Sequence, residues 1–208
     1  LDCPAGASIG EVMKRRRESH IFEKAKDGWY VEPSWCSERL FEVEEFASTI
    51  YDPACGIGTI LSSAKAAGYG IRGSDIVNRK RHKLNSAFER KDFMQMFHFA
   101  RRDPQQMSIV CNPPFDLIQE FCEHAMLFAD KVAMIMLTRR LNAAHWLRDL
   151  PLKKVYFLTP RPSMPPGQWI AAGNKPGGGT QDFVWAVFES GYRGDPRMCW
   201  LHRDGEVK

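Results

Sequence analysis

The residues predict one α/β domain built on a mainly parallel, twisted sheet with a late antiparallel strand. Three observations carry that expectation. The chain has 208 residues, one domain's worth of length. Its 44% apolar and 26% charged content matches soluble globular proteins and excludes fibrous repeats and disordered tails. From residue 49 onward, short β-rich runs alternate with helical stretches, the pattern of strands that each feed a crossover helix.

Taken in order, Thr49 to Tyr51 leads as a strand into the turn Asp52-Pro53-Ala54-Cys55-Gly56-Ile57-Gly58, and a helix follows from Thr59 to Ala67, where Gly68 can end it. Gly70 to Ile76 is a second strand. Arg79 to Arg90 reads as its polar helix, followed by Asp92-Phe93. Ser108 to Cys111 is a buried strand that runs into Asn112-Pro113-Pro114-Phe115, where two prolines forbid further regular structure. Between 117 and 129, Leu117, Ile118, Phe121, Cys122, Ala125, Phe128 and Ala129 fall on one helical face. Val132 to Leu137 has the unbroken apolar character of a central parallel strand. A helix over Arg140 to Leu147 and strands at Val155 to Leu158 and Phe183 to Phe188 complete the domain, which spans 29–190. Before it lies an arm, 1–28, with the basic cluster Lys14-Arg15-Arg16-Arg17, and after it an extension, 191–208. The segment Pro160 to Asp182 is crowded with proline and glycine, five of each, a composition that fits a solvated linker or a lid over a site.

Several function classes drop out. The longest apolar runs are six residues, Val132 to Leu137 and Phe183 to Phe188, against the roughly 18 that span a bilayer, so no membrane partner is expected. Residues 1–20 lack the apolar stretch of a signal peptide. The cysteines Cys3, Cys36, Cys55, Cys111, Cys122 and Cys199 form no C-x-x-C pair and read as reduced thiols in the cytoplasm. The six histidines (20, 82, 98, 124, 145, 202) make no ligand pattern, so no metal is expected. A net charge of +4 permits a polyanionic partner without demanding one.

A strand, a glycine turn and a helix let a ligand approach backbone N–H groups at the helix start. Here the turn lacks the third glycine of the dinucleotide fingerprint, and the acid Asp52 precedes it. A carboxylate there repels pyrophosphate and suits an ammonium or sulfonium. Asp75 ends the next strand, where a carboxylate can accept both ribose hydroxyls of an adenosine group; Asp92, at the end of the unit after that, is placed to accept an adenine N–H. Each could be a solvated carboxylate, but together they share one rim of the sheet. In Asn112-Pro113-Pro114-Phe115 the Asn oxygen and the Pro113 carbonyl can accept two hydrogen bonds from a substrate NH₂, with Phe115 giving a flat face for a heteroaromatic ring; the alternative is a proline turn with Phe115 in the core. Cys55 and Cys111 beside this site read as small buried residues. Arg139 and Arg140 at the end of a central strand, and Arg161 and Lys175 in the Pro/Gly segment, are candidates to reach phosphate or are simply solvated. Trp169 is a candidate to stack on a base.

On these residues the chain resembles the S-adenosylmethionine-dependent adenine N6 methyltransferases of DNA. Asp52 to Gly58 is similar to their D-P-A-C-G-x-G motif, with Asp52, Pro53, Ala54, Gly56 and Gly58 as cofactor contacts, and Asn112 to Phe115 to their catalytic N-P-P-F. Asp75 with Ile76, and Asp92 with Phe93, resemble their adenosine contacts; Tyr30-Val31-Glu32-Pro33-Ser34-Trp35 resembles the segment that closes over the methionine end, with Tyr30, Glu32 and Trp35 toward the cofactor. The motif order resembles the γ arrangement, and the run including Arg161 to Gly167 resembles small phage or prophage members.

The resemblance implies a Rossmann-like class I fold, S-adenosyl-L-methionine as cofactor, DNA as partner, and direct in-line methyl transfer to an adenine flipped out of the duplex. Asn112 then touches both substrate and cofactor. RNA adenine N6 methylation and a non-catalytic S-adenosylmethionine-binding module are the alternatives; Phe rather than Tyr at 115 lowers protein glutamine methylation. The short flanks leave no room for the separate target-recognition domain of longer relatives, so short or relaxed recognition by 160–182 and the basic arm is expected.

Overall fold

The computed structural model describes residues 25–79, 87–96 and 106–205. Eight strands, β1 (Thr49–Asp52), β2 (Gly70–Asp75), β3 (Phe88–Arg90), β4 (Met107–Cys111), β5 (Lys131–Leu137), β6 (Leu152–Thr159), β7 (Phe183–Glu189) and β8 (Arg197–His202), form one sheet in the order β3-β2-β1-β4-β5-β7-β6-β8. All pairs are parallel except those of β7, which runs against both β5 and β6. The late antiparallel strand is therefore β7.

The apolar run of β5 is explained by cover on both faces. Ala133, Ile135 and Leu137 join the core under α1 (Trp35–Val43) and α2 (Thr59–Ala66), while Val132, Met134 and Met136 join the core under α3 (Ile118–Ala125). Trp185 of β7 is fully buried and donates from Nε1 to the Cys36 carbonyl at 2.9 Å, and Ser37 and Ser63 bond at 2.9 Å between α1 and α2. These helices hold the carboxyl ends of β1, β2 and β4 at one rim, which is where ligands bind in open α/β sheets.

At the opposite rim Glu44, buried just past α1, accepts hydrogen bonds from Tyr156 Oη at 2.6 Å, Lys131 Nζ at 2.7 Å and Lys154 Nζ. Burial pushes the Glu44 carboxyl up, but the two lysines and the tyrosine outweigh it and hold the carboxyl below its ordinary value.

Four boundaries differ from the expected ones. The end of the expected helix 79–90 is strand: Phe88–Arg90 pairs with Gly73–Asp75, and residues 80–86 lie outside the described residues. The helix expected from 117 begins at Ile118, after a 3-10 turn over Phe115–Leu117, and stops at Ala125. The helix expected over Arg140 to Leu147 is broken into α4 (Arg140–Ala143) and a 3-10 turn over His145–Asp149, because Ala144 turns extended (ψ 92°) and delivers Leu147 into the core. The sheet also continues past residue 190, since β8 pairs in parallel with the whole of β6 from Lys154 to Thr159. The basic cluster at 14–17 lies outside the described residues.

Candidate active site

β1 delivers Asp52, only 2% exposed, to the rim, and its Oδ1 accepts from the Ala54 amide at 3.1 Å to start the turn. Gly56 and Gly58 adopt left-handed conformations, φ 54° and 86°, that side-chain-bearing residues rarely hold, and Gly58 hands the chain to α2. A Cβ on Gly56 would also lie 3.0 Å from the Trp29 indole nitrogen. The turn is braced by Asp75 at the end of β2: Oδ2 accepts from the Gly56 amide and Oδ1 from the Val77 amide, each at 2.9 Å. Arg79 stands 3.8 Å from Asp75 and lies over the Trp29 ring, 4.0 Å from its centroid.

These groups enclose a cavity of about 310 Å³. Tyr30, Glu32, Asp52, Pro53, Ala54, Gly56, Asp75, Ile76, Asp92, Phe93 and Asn112 line it, so most of the expected cofactor contacts come together. Gly58 and Trp35 stand behind the wall rather than on it: Gly58 caps α2 and Trp35 opens α1. Asp92 accepts from the Met94 amide at 3.0 Å, and Phe93 is packed between Tyr51, Phe121, His124 and Phe128.

The cavity is acidic inside. Glu32, Asp52 and Asp75 are all buried, and Arg79 is the one cationic side chain among the described residues that line it. Burial pushes the Glu32 carboxyl up to about 7, partly offset by a hydrogen bond from Asn112. Burial also raises Asp52 well above its ordinary value, against the help of Cys111, and the neighbouring carboxyls Glu32 and Asp75 add to the rise. Such a site favours a ligand that brings its own positive charge. The thiols of Cys55 and Cys111 are pushed up by burial and by these carboxyls, which disfavours their thiolates.

β4 ends beside β1, so Asn112 leaves the sheet at the edge of this cavity. Its Nδ2 donates to Glu32 Oε2 at 2.7 Å and to the Tyr30 carbonyl at 3.1 Å. Its Oδ1 is buried with no hydrogen-bond partner among the described residues. Pro113 is buried, and the Pro114 carbonyl accepts from the Leu117 amide at 2.9 Å to close the turn. Phe115 departs from the sequence expectation of an open flat face. Tyr30 stacks on it, with centroids 5.4 Å apart and planes at 21°, and Phe183 packs at 5.6 Å and 39°. A ring that stacks on the face of Phe115 that Tyr30 covers has to displace Tyr30.

The Pro/Gly segment 160–182 is anchored to the cavity wall rather than free of it. It contains the short helix α5 (Gly167–Ala171), and its residues 165–167 clasp the strap 29–31: Val31 N–H donates to Pro165 O at 3.0 Å and Gly167 N–H to Trp29 O at 2.9 Å. Gly167 is obligatory for that clasp, because a Cβ there would sit 2.0 Å from the Trp29 ring. Within the segment Arg161 pairs with Asp182 at 2.5 and 3.2 Å, and Trp169 Nε1 donates to the Lys175 carbonyl at 3.3 Å. At the end of β5, Arg139 reaches Gln181 at 3.4 Å and Arg140 reaches the Phe115 carbonyl at 3.5 Å. Of the basic candidates, Arg140 is the one tied directly to the Asn-Pro-Pro-Phe turn.

The sequence reading missed Trp29 and Arg79, whose stacked pair roofs the cavity, and the bond from Asn112 to Glu32. Eighty residues separate that last pair. An acid in the segment that closes over the site was the available signal for it.

No family model and no curated protein matches the chain. Among solved structures, it is similar to a Pyrococcus horikoshii protein described as an RNA methyltransferase, at 16% identity and TM-score 0.54, over 80% of this chain and 93% of that one. It is similar too to the modification subunit ascribed to a type I restriction enzyme of Vibrio vulnificus, at 14% identity and TM-score 0.55, over 85% of this chain and 47% of that one. A third, from Agrobacterium tumefaciens and described as an O-methyltransferase, matches at 11% identity and TM-score 0.52, over 81% of this chain and 85% of that one. The shared architecture is that of the Rossmann-like S-adenosylmethionine-dependent methyltransferases, and it is the fold of this chain.

Proposed function

We propose that the chain transfers a methyl group from S-adenosyl-L-methionine to the exocyclic N6 amine of adenine in DNA. The observation that carries this reading is the unpartnered, buried Asn112 Oδ1 at the edge of an acidic cavity. A buried acceptor without a donor costs about 1–3 kcal/mol, a cost that a bound amine removes. The acidic lining fits the cofactor, whose ammonium and sulfonium answer Glu32 and Asp52. Asp75 has accepting capacity left for the ribose hydroxyls beyond the two amides it holds, and Asp92 for an adenine N–H.

When bound, S-adenosylmethionine supplies a methyl on cationic sulfur, which leaves as a neutral thioether when an amine lone pair attacks that carbon. The chain's own residues do the positioning. Asn112 Oδ1 and the Pro113 carbonyl accept the two N–H bonds of the amine, so its lone pair points away from them. No strong base is required, since the proton can go to solvent after the new C–N bond begins to form. Arg140 and the clasped segment 160–182 flank the approach to Phe115 and are the candidates to meet the nucleic-acid backbone, with Arg139, Arg161, Lys175 and Trp169 farther out.

A second reading keeps the chemistry and makes the substrate RNA. It is favoured by the likeness to the Pyrococcus horikoshii protein, of which the match spans 93%. Incubation with tritiated cofactor and either DNA or RNA, followed by mass spectrometry of the nucleosides, tests both. N6-methyladenosine only in RNA would replace the DNA reading; cofactor binding with no transfer to either would leave a binding module.

A further inference from the structure

We propose that the Glu32 carboxylate is a positioning residue that fixes the Asn112 amide with Nδ2 inward and Oδ1 toward the target amine. This deepens the adenine reading and rests on it. A primary amide has a donor end and an acceptor end that exchange places by a half-turn about χ2, and only one orientation presents an acceptor to an incoming NH₂. Two groups decide the orientation here. The Tyr30 carbonyl can only accept, and it lies 3.1 Å from Nδ2. Glu32 Oε2, at 2.7 Å, is acceptor-only when ionised, and a bond to a charged acceptor is shorter and stronger than a neutral one.

The same bond acts on the chemistry. A carboxylate that accepts from Nδ2–H pushes electron density through the amide toward its oxygen, so an ionised Glu32 makes Oδ1 a stronger acceptor. The amine N–H bonds grow more acidic as nitrogen gives up its lone pair, so the stronger acceptor favours the transition state over the ground state. Protonated Glu32 can instead donate to the amide oxygen and so permits the flipped orientation. Burial places this change near neutral pH, with the carboxyl pushed up to about 7. The ionisable groups that bear on Glu32 are Asp52 on β1, Cys36 on α1 and Cys111 on β4.

The test uses the full chain and two independent readouts. In the protein without cofactor, the ¹⁵N side-chain amide signal of Asn112, assigned by its loss in Asn112→Ala, shifts with pH around a midpoint near neutrality. In Glu32→Gln that shift disappears, which assigns it to Glu32 rather than Asp52. An Asn112 signal that is the same in Glu32→Gln as in the wild type at every pH from 5.5 to 8.5 overturns the proposal. In the loaded enzyme, Glu32→Ala lowers the single-turnover rate at saturating cofactor and DNA by about 10- to 100-fold, the equivalent of one hydrogen bond to a charged group. Glu32→Gln, which keeps an accepting oxygen, loses less and has a flatter pH profile below 8. Full recovery of Glu32→Ala at saturating cofactor would make Glu32 a cofactor contact only and overturn the proposal. If Glu32→Ala does not fold, the wild-type and Glu32→Gln titrations still decide it. A wild-type chain that methylates no adenine refutes the adenine reading, while the amide titration judges the coupling separately.

Discussion

The two rims of the sheet hold buried carboxyls in opposite circumstances. Glu44 at the amino ends of β5 and β6 has two lysines and a tyrosine on it, and its carboxyl stays below the ordinary range. Glu32 and Asp52 at the carboxyl ends of β1 and β4 are as deeply buried, have a neutral amide, a thiol and backbone for company, and are raised. On the proposed function, the difference separates a charge placed for stability from acids held for a cationic ligand. A protein tolerates uncompensated buried acids where binding a cation repays them.

The largest effect expected from breaking this contrast is on chemistry. Asn112→Ala removes the acceptor for the amine and should lower methyl transfer at saturating cofactor by about 100-fold or more, a larger loss than any it causes in cofactor affinity, since Asn112 also lines the cofactor cavity. Unchanged transfer would sink the mechanism. Asp75→Ala strikes both the glycine turn and the proposed ribose contact; isothermal titration should show cofactor affinity about 10- to 100-fold weaker. On the opposite rim, Glu44→Ala should cost stability alone, roughly 2 kcal/mol by urea unfolding. That is less than the ~3–5 kcal/mol of a fully buried broken pair, because Lys131 and Lys154 keep part of their hydration. Loss of cofactor affinity in that variant would blur the division between the rims.

The smallest effect is a pH dependence of opposite sign at the two rims. Glu32 binds its proton more tightly folded, about 7, than unfolded, near 4.5, so its contribution favours the folded chain at the acid end and is lost as pH rises across that window. From pH 5.5 to 6.5 the cofactor-free protein should lose about 1 kcal/mol, or about 2–4 °C in Tm by scanning calorimetry. Saturating S-adenosylmethionine should flatten that slope. Glu44, lowered in the fold, contributes stability above its ordinary value that is lost as the pH falls below it, outside this window. A Tm that rises from pH 5.5 to 6.5 would mean that Glu32 and Asp52 are ionised and compensated in the free protein.

The parts legible in the sequence are those where local pattern and burial agree. The run 132–137 announces a doubly covered strand, and Asp52 to Gly58 announces a left-handed turn into a helix. β8 was illegible because it is an edge: Met198 and Trp200 stay half-exposed and the alternation is short, so nothing local distinguishes it from a polar extension. The short strand Phe88–Arg90 was hidden by its charges, since only Phe88 of the three is even partly buried. In the site, most of the residues read as cofactor contacts line one cavity, while Gly58, Trp35, Pro113 and Phe115 lie off its wall. What could not be read were contacts between distant segments: Tyr30 over Phe115, Trp29 under Arg79, and Glu32 on Asn112. Each joins a segment near residue 30 to residues far along the chain, and periodicity is silent about such pairs.

The reversal of β7 has a consequence for how such a molecule can change. Because β7 runs against β6, the connection between them leaves the sheet and returns to it at the same rim, next to Phe115, instead of crossing a face. Its length and composition can vary without shifting the register of β1, β2 or β4. The half proposed to hold the cofactor and the loop proposed to meet the target are joined at the clasp of Trp29 and Val31 with Pro165 and Gly167. On the proposed function, new targets can be explored by rewriting the exposed residues 172–176 while the buried Pro162 and Met164 and the clasp stay in place.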